Sequence, residues 1–181
     1  MSIIIVNDWW TTKRKEVGKM TRKKFQHSSL MQTTNIKKVI LKSVVNTDKK
    51  SLENTGELLQ HIGQGQKPVG IYARKSVIAF KLREGTQVGW KITLRREKAW
   101  NFLFNLINLS LPQKRIFQGF PAQSFDQQGN YNLGIDNLNI FPETTYNLTF
   151  KNQGCQVTIV FASHSLEENR YFLELLNFPF S

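Results

Sequence analysis

Runs of β-branched and aromatic residues, bounded by glycine, proline and asparagine, are typical of strands. Five such runs occur along this chain, at Ile36–Val45, Lys67–Ala73, Gly89–Arg96, Asn130–Ile135 and Cys155–Phe161. In the third, Lys91, Thr93 and Arg95 share one face because side chains alternate along a strand. Ile92 and Leu94 take the other face, so the polar row is expected to point away from the core.

Helices are predicted at four segments between and around these strands: about Asp8–Phe25, Lys49–Ile62, Glu97–Leu109 and Leu166–Asn177. Asp8 is expected to cap the first, and Gly63 to end the second. Ser165 and Glu168 match a capping box at the start of the fourth. The internal Gly56 weakens the second helix by up to about 1 kcal/mol relative to alanine.

The order of these elements predicts a single α+β domain. Strands and helices mix without a regular βαβ repeat, which favours a mainly antiparallel sheet with helices packed on one face and the other face open. Residues 1–27 form a basic N-terminal extension and helix in this interpretation, and residues 28–181 form the α+β domain. Several RNA-binding modules place their contacts on such an open face.

Composition and charge distribution point to a polyanionic partner. At 181 residues, with 40% hydrophobic and 21% charged, the chain can bury one real core and lacks any run long enough to span a membrane. Residues 1–115 hold 23 Lys and Arg against 7 Asp and Glu, whereas residues 116–181 hold 2 against 6. The net charges are +16 and −4, and this segregation favours nucleic acid first and an anionic membrane surface second.

The inventory of reactive side chains contains no recognisable catalytic or metal-binding constellation. The single cysteine, Cys155, excludes an internal disulfide and a cysteine-based zinc site, and its alternating surroundings favour a small buried hydrophobe. The three histidines, His27, His61 and His164, lie far apart without ligand spacing. We therefore expect no cofactor, no metal and no enzymatic activity.

Two functions of other classes remain as alternatives at this point. An enzyme acting on RNA would need paired carboxylates, a histidine acid–base or a metal cluster, and the basic half offers none at recognisable spacing. A peripheral membrane protein would need an apolar stripe on the N-terminal helix opposite its basic residues. Trp9 and Trp10 alone are too few residues to form such a stripe.

A series of short motifs, each weak alone, occurs in an order that is highly specific. They are Gly65-Gln66-Lys67-Pro68, Ala73-Arg74-Lys75-Ser76, Phe80-Lys81-Leu82-Arg83-Glu84-Gly85, Lys91-Ile92-Thr93-Leu94-Arg95, Ser124-Phe125-Asp126, Gly129-Asn130-Tyr131-Asn132-Leu133-Gly134, Ile140-Phe141-Pro142-Glu143 and Phe178-Pro179-Phe180. Over about Ser28–Phe180 this order resembles the bacterial and organellar large-subunit ribosomal protein five family, which binds 5S rRNA in the central protuberance.

The resemblance implies that the open sheet face holds 5S rRNA. The residues expected to bind RNA are Lys42, Gln66, Lys67, Lys91, Thr93, Arg95 and Arg96. Gln66, Thr93 and Arg95 match the family's polar contacts. Lys42 replaces an asparagine that is usual in the family, which exchanges an amide able to read a base for a point charge on phosphate.

The resemblance also implies a loop that faces the transfer RNA in the peptidyl site. Its residues here are Arg74, Lys75, Ser76, Val77, Ile78, Ala79 and Phe80, with Ala79 in place of a usual glycine. Two segments on the inter-subunit side of the family depart from its pattern. Pro112–Gly119 carries less positive charge than usual, and Asp126–Gly129 lacks the usual arginine.

The function implied is that of a structural constituent of the large ribosomal subunit. Its expected partners are 5S rRNA, large-subunit rRNA, peptidyl-site transfer RNA, neighbouring proteins of the central protuberance and a protein of the small-subunit head across a bridge, with no membrane. The alternative within RNA binding is a free-standing RNA-binding or ribosome-assembly protein. Bias toward Asn, Ile, Phe and Lys, with drifting motifs, favours a mitochondrial ribosome first and a plastid ribosome second.

Overall fold

The computed structural model describes residues 2–45, 49–80, 82–114, 118–144 and 153–181, and of residues 2–11 and 49–50 the backbone alone. Within these ranges four α-helices and five strands form an α+β fold. The helices are α1 (Ser2–Phe25), α2 (Lys49–Ile62), α3 (Glu97–Asn105) and α4 (Leu166–Leu175). The strands are β1 (Ile36–Val44), β2 (Val69–Tyr72), β3 (Gln87–Leu94), β4 (Tyr131–Ile135) and β5 (Cys155–Phe161).

The strands form one antiparallel five-stranded sheet in the order β2-β3-β1-β5-β4, which confirms the expected fold class. By their contacts the residues divide into two compact units. The first unit comprises Met1–Val39, Arg95–Leu133 and Thr158–Ser181, and the second comprises Ile40–Leu94 and Gly134–Val157. The division at residues 27 and 28 that the sequence indicates stays a prediction.

The second unit is built around α2 lying on β3. The Trp90 indole N–H donates to the Leu52 carbonyl at 2.6 Å. A Cβ at Gly56 would lie 2.9 Å from the Trp90 ring. Glycine therefore costs the helix some intrinsic stability but lets the indole approach the backbone closely. At the next turns Leu58, Leu59 and Ile62 are buried.

The first unit is held by aromatic packing. Tyr131 is fully buried and packs edge-on against Phe125, Phe178 and Phe180, with ring centroids 4.8 to 5.6 Å apart. Burial raises the pKa of the Tyr131 hydroxyl to about 12, although a hydrogen bond with Ser124 partly opposes the shift. Helix α1 packs against α3 and α4 in this unit.

Most element bounds agree with the sequence patterns, and the differences have local causes. Helix α1 begins at Ser2 and includes Asp8, so the expected cap at Asp8 is wrong. No glycine or proline precedes Asp8 to stop the helix from extending. Helix α2 ends at Ile62, directly before Gly63 as expected, and the left-handed residues that follow are Gln64 and Gly65, with φ of 53° and 74°. Strand β3 spans Gln87–Leu94 and therefore ends before Arg95.

The predicted capping box of α4 is also wrong. Ser165 has the extended backbone of an N-cap, but its side chain makes no capping hydrogen bond. Glu168 is buried instead of reaching back to the helix start, and its carboxylate contacts the His27 ring. Glu168 therefore makes a tertiary contact with the segment at the end of α1 in place of the local capping hydrogen bond.

Cys155 confirms its expected character. The residue is buried at the start of β5, and burial raises the pKa of its thiol to about 12 against a hydrogen bond from the Lys42 backbone. A thiol with so high a pKa stays protonated near neutral pH and is a poor nucleophile.

Candidate nucleic-acid interface

The exposed face of β3 carries the polar row that its alternation predicts. Trp90, Ile92 and Leu94 point to the core side, where Ile92 and Leu94 are almost fully buried. Lys91 is exposed and Thr93 half-buried on the opposite face. Val69 of β2 pairs with Lys91 across the antiparallel ladder, so the two side chains share that face. The predicted row of Lys91, Thr93 and Arg95 is confirmed for Lys91 and Thr93, whereas Arg95 is exposed but lies beyond the end of β3.

Strand β1 lies next to β3 and continues this face within the second unit. Leu41 and Ser43 are buried, and the Ser43 hydroxyl donates to the Gly154 carbonyl at 2.8 Å. Lys42 and Val44 alternate with them and are exposed. Lys42 and Lys91 thus stand on neighbouring strands with their ammonium groups on the solvent side.

The two strands approach each other closely at Gly89. A Cβ at this position would lie 2.3 Å from the Ser43 carbonyl oxygen, closer than two such atoms can come. The Val45 N–H donates to the Val88 carbonyl at 2.9 Å beside it. Any side chain at position 89 would force β1 and β3 apart. The glycine therefore allows the strands that carry Lys42 and Lys91 to lie side by side.

Gln66 and Lys67 follow α2 in the turn before β2. The turn is shaped by Gln64 and Gly65 in the left-handed region and by the Gln66 N–H, which donates to the Gly63 carbonyl at 3.2 Å. Lys67 is exposed and Gln66 half-buried. With Lys42, Lys91 and Thr93, five of the seven residues expected to bind RNA thus belong to the second unit.

Arg95 and Arg96 begin the Arg95–Leu133 segment of the first unit and are exposed. Arg96 has φ 52° and ψ −129°, a conformation that costs a non-glycine residue about 1–3 kcal/mol. The Arg96 carbonyl accepts the Trp100 N–H at 3.3 Å, so the strained residue also starts α3. Arg96 therefore lies in the turn that leads into α3, and its backbone is fixed there by the first hydrogen bond of the helix.

The segment expected to face transfer RNA is an ordered hairpin extension rather than a loose loop. Its base is closed by the Ala73 N–H donating to Thr86 and the Gly85 N–H donating to Ala73. Nearer the tip Val77 and Leu82 form an antiparallel bridge. A 3₁₀ turn at Ile78–Phe80 makes the tip, where Ile78 is 94% exposed and Phe80 is 73% exposed. Arg74, Lys75 and Ser76 are exposed below it.

The sequence patterns did not predict that apolar residues are also exposed on this surface. Val44 of β1 and Val69 of β2 are exposed among the cationic residues. Alternation placed Val44 on the Lys42 face, and only the pairing of β2 with β3 places Val69 beside Lys91. Such side chains offer contact to base faces and sugars, which lysine alone does not.

Two other kinds of site find no support in the described part of the chain. Among those residues no three His, Cys, Asp or Glu side chains come together as metal ligands would. None of the helices there combines the length and apolar character required to cross a membrane. The surface around β1, β2 and β3 is thus distinguished by its cations and exposed apolar side chains.

Comparison with known proteins identifies the family. The model for ribosomal protein L5 matches residues 29–83, and the model for the C-terminus of the same ribosomal family matches residues 87–180. The large ribosomal subunit protein uL5 of Shewanella sp. (strain ANA-3) is 42% identical over 161 residues, covering 87% of this chain and 89% of that protein. The chain belongs to the ribosomal protein L5 family.

Membership of the L5 family confirms the resemblance drawn from the motif order, including its extent of about Ser28–Phe180. The chain is a structural constituent of the large ribosomal subunit and binds rRNA, with rRNA and ribosomal proteins as its partners. L5 proteins are structural and non-enzymatic, which confirms that the chain is not an enzyme.

The two L5 family segments meet at the hairpin. The first match ends at Arg83, and the second begins at Gln87, the first residue of β3. The contact-based division places β2, the hairpin and β3 together in one unit. The L5 segments therefore divide the β2–β3 pair that displays Lys91 and Thr93, and both must be present for this part of the surface to exist.

Proposed function

We propose that this L5 protein binds 5S rRNA through the exposed face of β1 and β3 and the turn before β2. The observation that carries the proposal is that Lys42 and Lys91 stand on the solvent side of neighbouring strands whose other faces are buried. Exposed lysines so placed, with no carboxylate on the same stretches of β1 and β3, suit a phosphate backbone.

The residues proposed to bind 5S rRNA divide into two roles. Lys42, Lys67 and Lys91 supply point charges to phosphates, which position the RNA without reading its sequence. Gln66 and Thr93 carry the amide and hydroxyl groups that can read the edges of unstacked bases in loops of the RNA. Arg95 and Arg96 add guanidinium groups suited to bidentate phosphate contacts.

The proposal is tested by titrating full-length protein with 5S rRNA at fixed salt. We expect Gln66→Ala combined with Arg95→Glu to weaken binding at least tenfold while the circular dichroism spectrum stays unchanged. Lys23→Glu, a charge reversal on α1, is the control and should cost much less. Equal losses for the control and the double variant would mean that attraction is general and that the site assignment is wrong.

We propose further that the Arg74–Phe80 hairpin contacts the transfer RNA in the peptidyl site. An ordered turn with exposed Ile78 and Phe80 above Arg74 and Lys75 suits a nucleic acid, because apolar groups pack on riboses or bases while the cations meet phosphates. A photo-crosslinker at position 78 should label transfer RNA in ribosomes carrying the protein, and one at Glu53 on α2 should not. Labelling of rRNA alone from position 78 would contradict this contact.

We propose that the bridge to the small-subunit head is retained in altered form. The Asp126–Asn130 turn has lost the arginine usual in the family, yet it is rigid: the Asp126 carboxylate accepts hydrogen bonds from the Gln128 and Asn130 N–H groups at 2.9 and 2.8 Å. Residues 115–117 of the other altered segment lie outside the described residues. Cross-linking from position 127 to a small-subunit protein tests the bridge, and its absence in intact ribosomes would show that the bridge is lost.

We propose a mitochondrial ribosome as the location, with a plastid ribosome as the alternative. The support is the bias toward Asn, Ile, Phe and Lys and the departures from the family motifs at Lys42, Ala79 and the inter-subunit segments. Sequencing the RNA that co-purifies with the native protein decides among the possibilities. Mitochondrial rRNA is the expected result, plastid or bacterial rRNA would correct the location, and an absence of mature rRNA would favour an assembly role.

A further inference from the structure

A groove in the first unit has no role in the contacts discussed so far. It has a volume of about 710 Å³ and lies between α1, the segment after it and the side chains of Ala162 and Phe172. Leu30, Met31 and Phe172 give it mainly apolar walls. Arg14, Lys15 and Lys19 of α1 also line it, and none of the lining residues whose side chains the structure describes is acidic.

The apolar part of this groove is displayed on a rigid support. Leu30 is 48% exposed and Met31 is 95% exposed on a 3₁₀ turn at Leu30–Gln32. The Met31 N–H donates to the Ser29 hydroxyl at 3.3 Å, and the Thr33 hydroxyl donates to the Leu30 carbonyl at 2.6 Å. Met31 is thus presented by a turn closed at both ends.

The chain leading into the turn is also fixed. The Arg22 guanidinium donates to the His27 and Ser28 carbonyls at 3.1 and 2.8 Å. On the other side of the turn the buried Thr34 hydroxyl donates to the buried Asn169 side chain. A pre-ordered backbone loses little further entropy on binding, which is one way in which contact segments of protein interfaces gain affinity.

The cations at the groove are available to a partner. Arg14, Lys15 and Lys19 are exposed, and none makes an ion pair within the described residues. Glu16, the acidic residue of α1 whose side chain is described, pairs instead with Lys13 at 3.3 Å. The groove therefore combines an apolar wall with a positively charged edge.

We infer that this groove binds an acidic amphipathic helix of another protein. Leucine-like side chains at i, i+3, i+4 and i+7 would enter the groove between Leu30, Met31 and Phe172, and carboxylates on the flanks would meet Arg14, Lys15 and Lys19. Methionine suits this role because its flexible thioether adapts to different apolar partners. An RNA backbone would satisfy the cations as well, but the apolar part of this site is a concave groove lined by Leu30, Met31 and Phe172, which accommodates protruding side chains of a helix better than the flat face of a base.

The probe for this site is a helical peptide of about 18 residues, with leucine at those four spacings and glutamate on the opposite face. We expect the full-length protein to bind it with a Kd in the micromolar range. Leu30→Ser with Met31→Ser should weaken binding at least tenfold. Leu166→Ser is the control, since Leu166 has the same 48% exposure as Leu30. Because Leu166 lies outside the groove, this substitution should leave peptide binding unchanged. For the charges, Lys19→Glu should weaken binding and Lys37→Glu should not.

The methionine methyl groups report where the peptide sits. The chain has 3 methionines, so methyl-labelled protein gives a spectrum that single substitutions can assign. Addition of the peptide should move the Met31 resonance much further than that of Met20, which is exposed on α1 but does not line the groove. This readout is independent of rRNA, so it separates the groove from the 5S rRNA proposal.

Several results would overturn the inference. They are no peptide binding up to about 1 mM, equal affinity for a peptide with lysine in place of glutamate, and binding that survives the Leu30 and Met31 substitutions. Poly(U) that shifts Met31 while the peptide does not would make the groove an RNA surface instead. Concentration-dependent dimers that Met31→Ser abolishes would assign it to a second copy of the chain.

Discussion

At the scale of single residues, Gly89 controls the geometry of the proposed RNA-binding face. Its missing side chain is what allows β3 to lie against the Ser43 and Val44 backbone of β1. The sequence pattern alone showed a glycine between two β-forming residues and gave no reason for it. The reason is a contact between residues 46 positions apart, which no local periodicity encodes.

Gly89→Ala should lower the free energy of unfolding by about 3 kcal/mol, because the new methyl group would sit 2.3 Å from the Ser43 oxygen. Gly134→Ala is the matched control. It lies on β4 with no atom within 4 Å of the added Cβ and should change stability by less than about 1 kcal/mol. Urea denaturation of both variants measures the difference. Equal stabilities would show that β1 and β3 separate without cost.

Asp126 makes stability depend on pH at the acid end. Burial alone would raise the pKa of its carboxyl, but hydrogen bonds from the Asn130 side chain and backbone and the Gln128 backbone outweigh it and lower the pKa. A lowered pKa in the folded state stabilises the protein above the unfolded pKa, and this contribution is lost as the pH falls through the folded value.

Asp126→Asn should therefore lower stability at pH 7 and flatten the loss of stability that the wild-type protein shows below about pH 4. Glu53→Gln, at an exposed carboxylate of α2, should leave the slope as it is. Thermal melts between pH 3 and pH 7 compare the three proteins. A wild-type slope in Asp126→Asn would assign the acid sensitivity to other groups.

At the scale of elements, α4 shows how tertiary contacts override a local motif. Ser165 and Glu168 have the spacing of a capping box, and the helix does begin where that motif predicts. Glu168 nevertheless turns inward to His27, so the strongest sequence signal for the helix start was right about the boundary and wrong about the interaction. Helix α2 also makes a tertiary side-chain hydrogen bond, from the Thr55 hydroxyl to Gln153 at 2.8 Å, but there the contact leaves the expected helix bounds unchanged.

Ser165→Ala should cost less than about 0.5 kcal/mol, in place of the roughly 1 kcal/mol typical of an N-cap serine, because its hydroxyl makes no capping bond. Glu168→Ala should cost about 1–3 kcal/mol, since it leaves the His27 ring without its partner. Glu167→Ala, at the exposed neighbour, controls for helix propensity. Chemical denaturation ranks the three variants, and a costly Ser165→Ala would restore the capping box.

At the scale of the whole molecule, the charge split and the motif order predicted the class of function, and the comparisons confirmed the family. The solvent-facing row of Lys91 and Thr93 was predictable because strand alternation is local. The exposed Val69 beside Lys91 was not, since it depends on the register between β2 and β3. The groove at Met31 gave no signal in the sequence, because Leu30 and Met31 there resemble ordinary core residues.

The affinity for 5S rRNA should fall with salt as phosphate contacts release counterions. Each lost contact should reduce the slope of log K against log salt by about 0.7–0.9. We expect reductions of that size for Lys42→Gln and Lys91→Gln separately, and for Lys24→Gln none, because that ammonium lies 3.6 Å above the Tyr171 ring. Filter-binding titrations from about 50 to 300 mM salt give the slopes. Unchanged slopes for the two sheet variants would place the RNA elsewhere.

The hairpin tip also matters before a subunit is complete. A newly made copy outside the ribosome presents Ile78 and Phe80 to water on an ordered turn. Exposed apolar surface of this kind promotes aggregation with other unassembled chains. Arg74, Lys75 and Arg83 flank it and repel a second copy, as charged gatekeepers do beside aggregation-prone segments. Unassembled copies should therefore stay soluble at low ionic strength and precipitate when salt screens these charges. The same cations would thus keep the protein soluble until it binds rRNA.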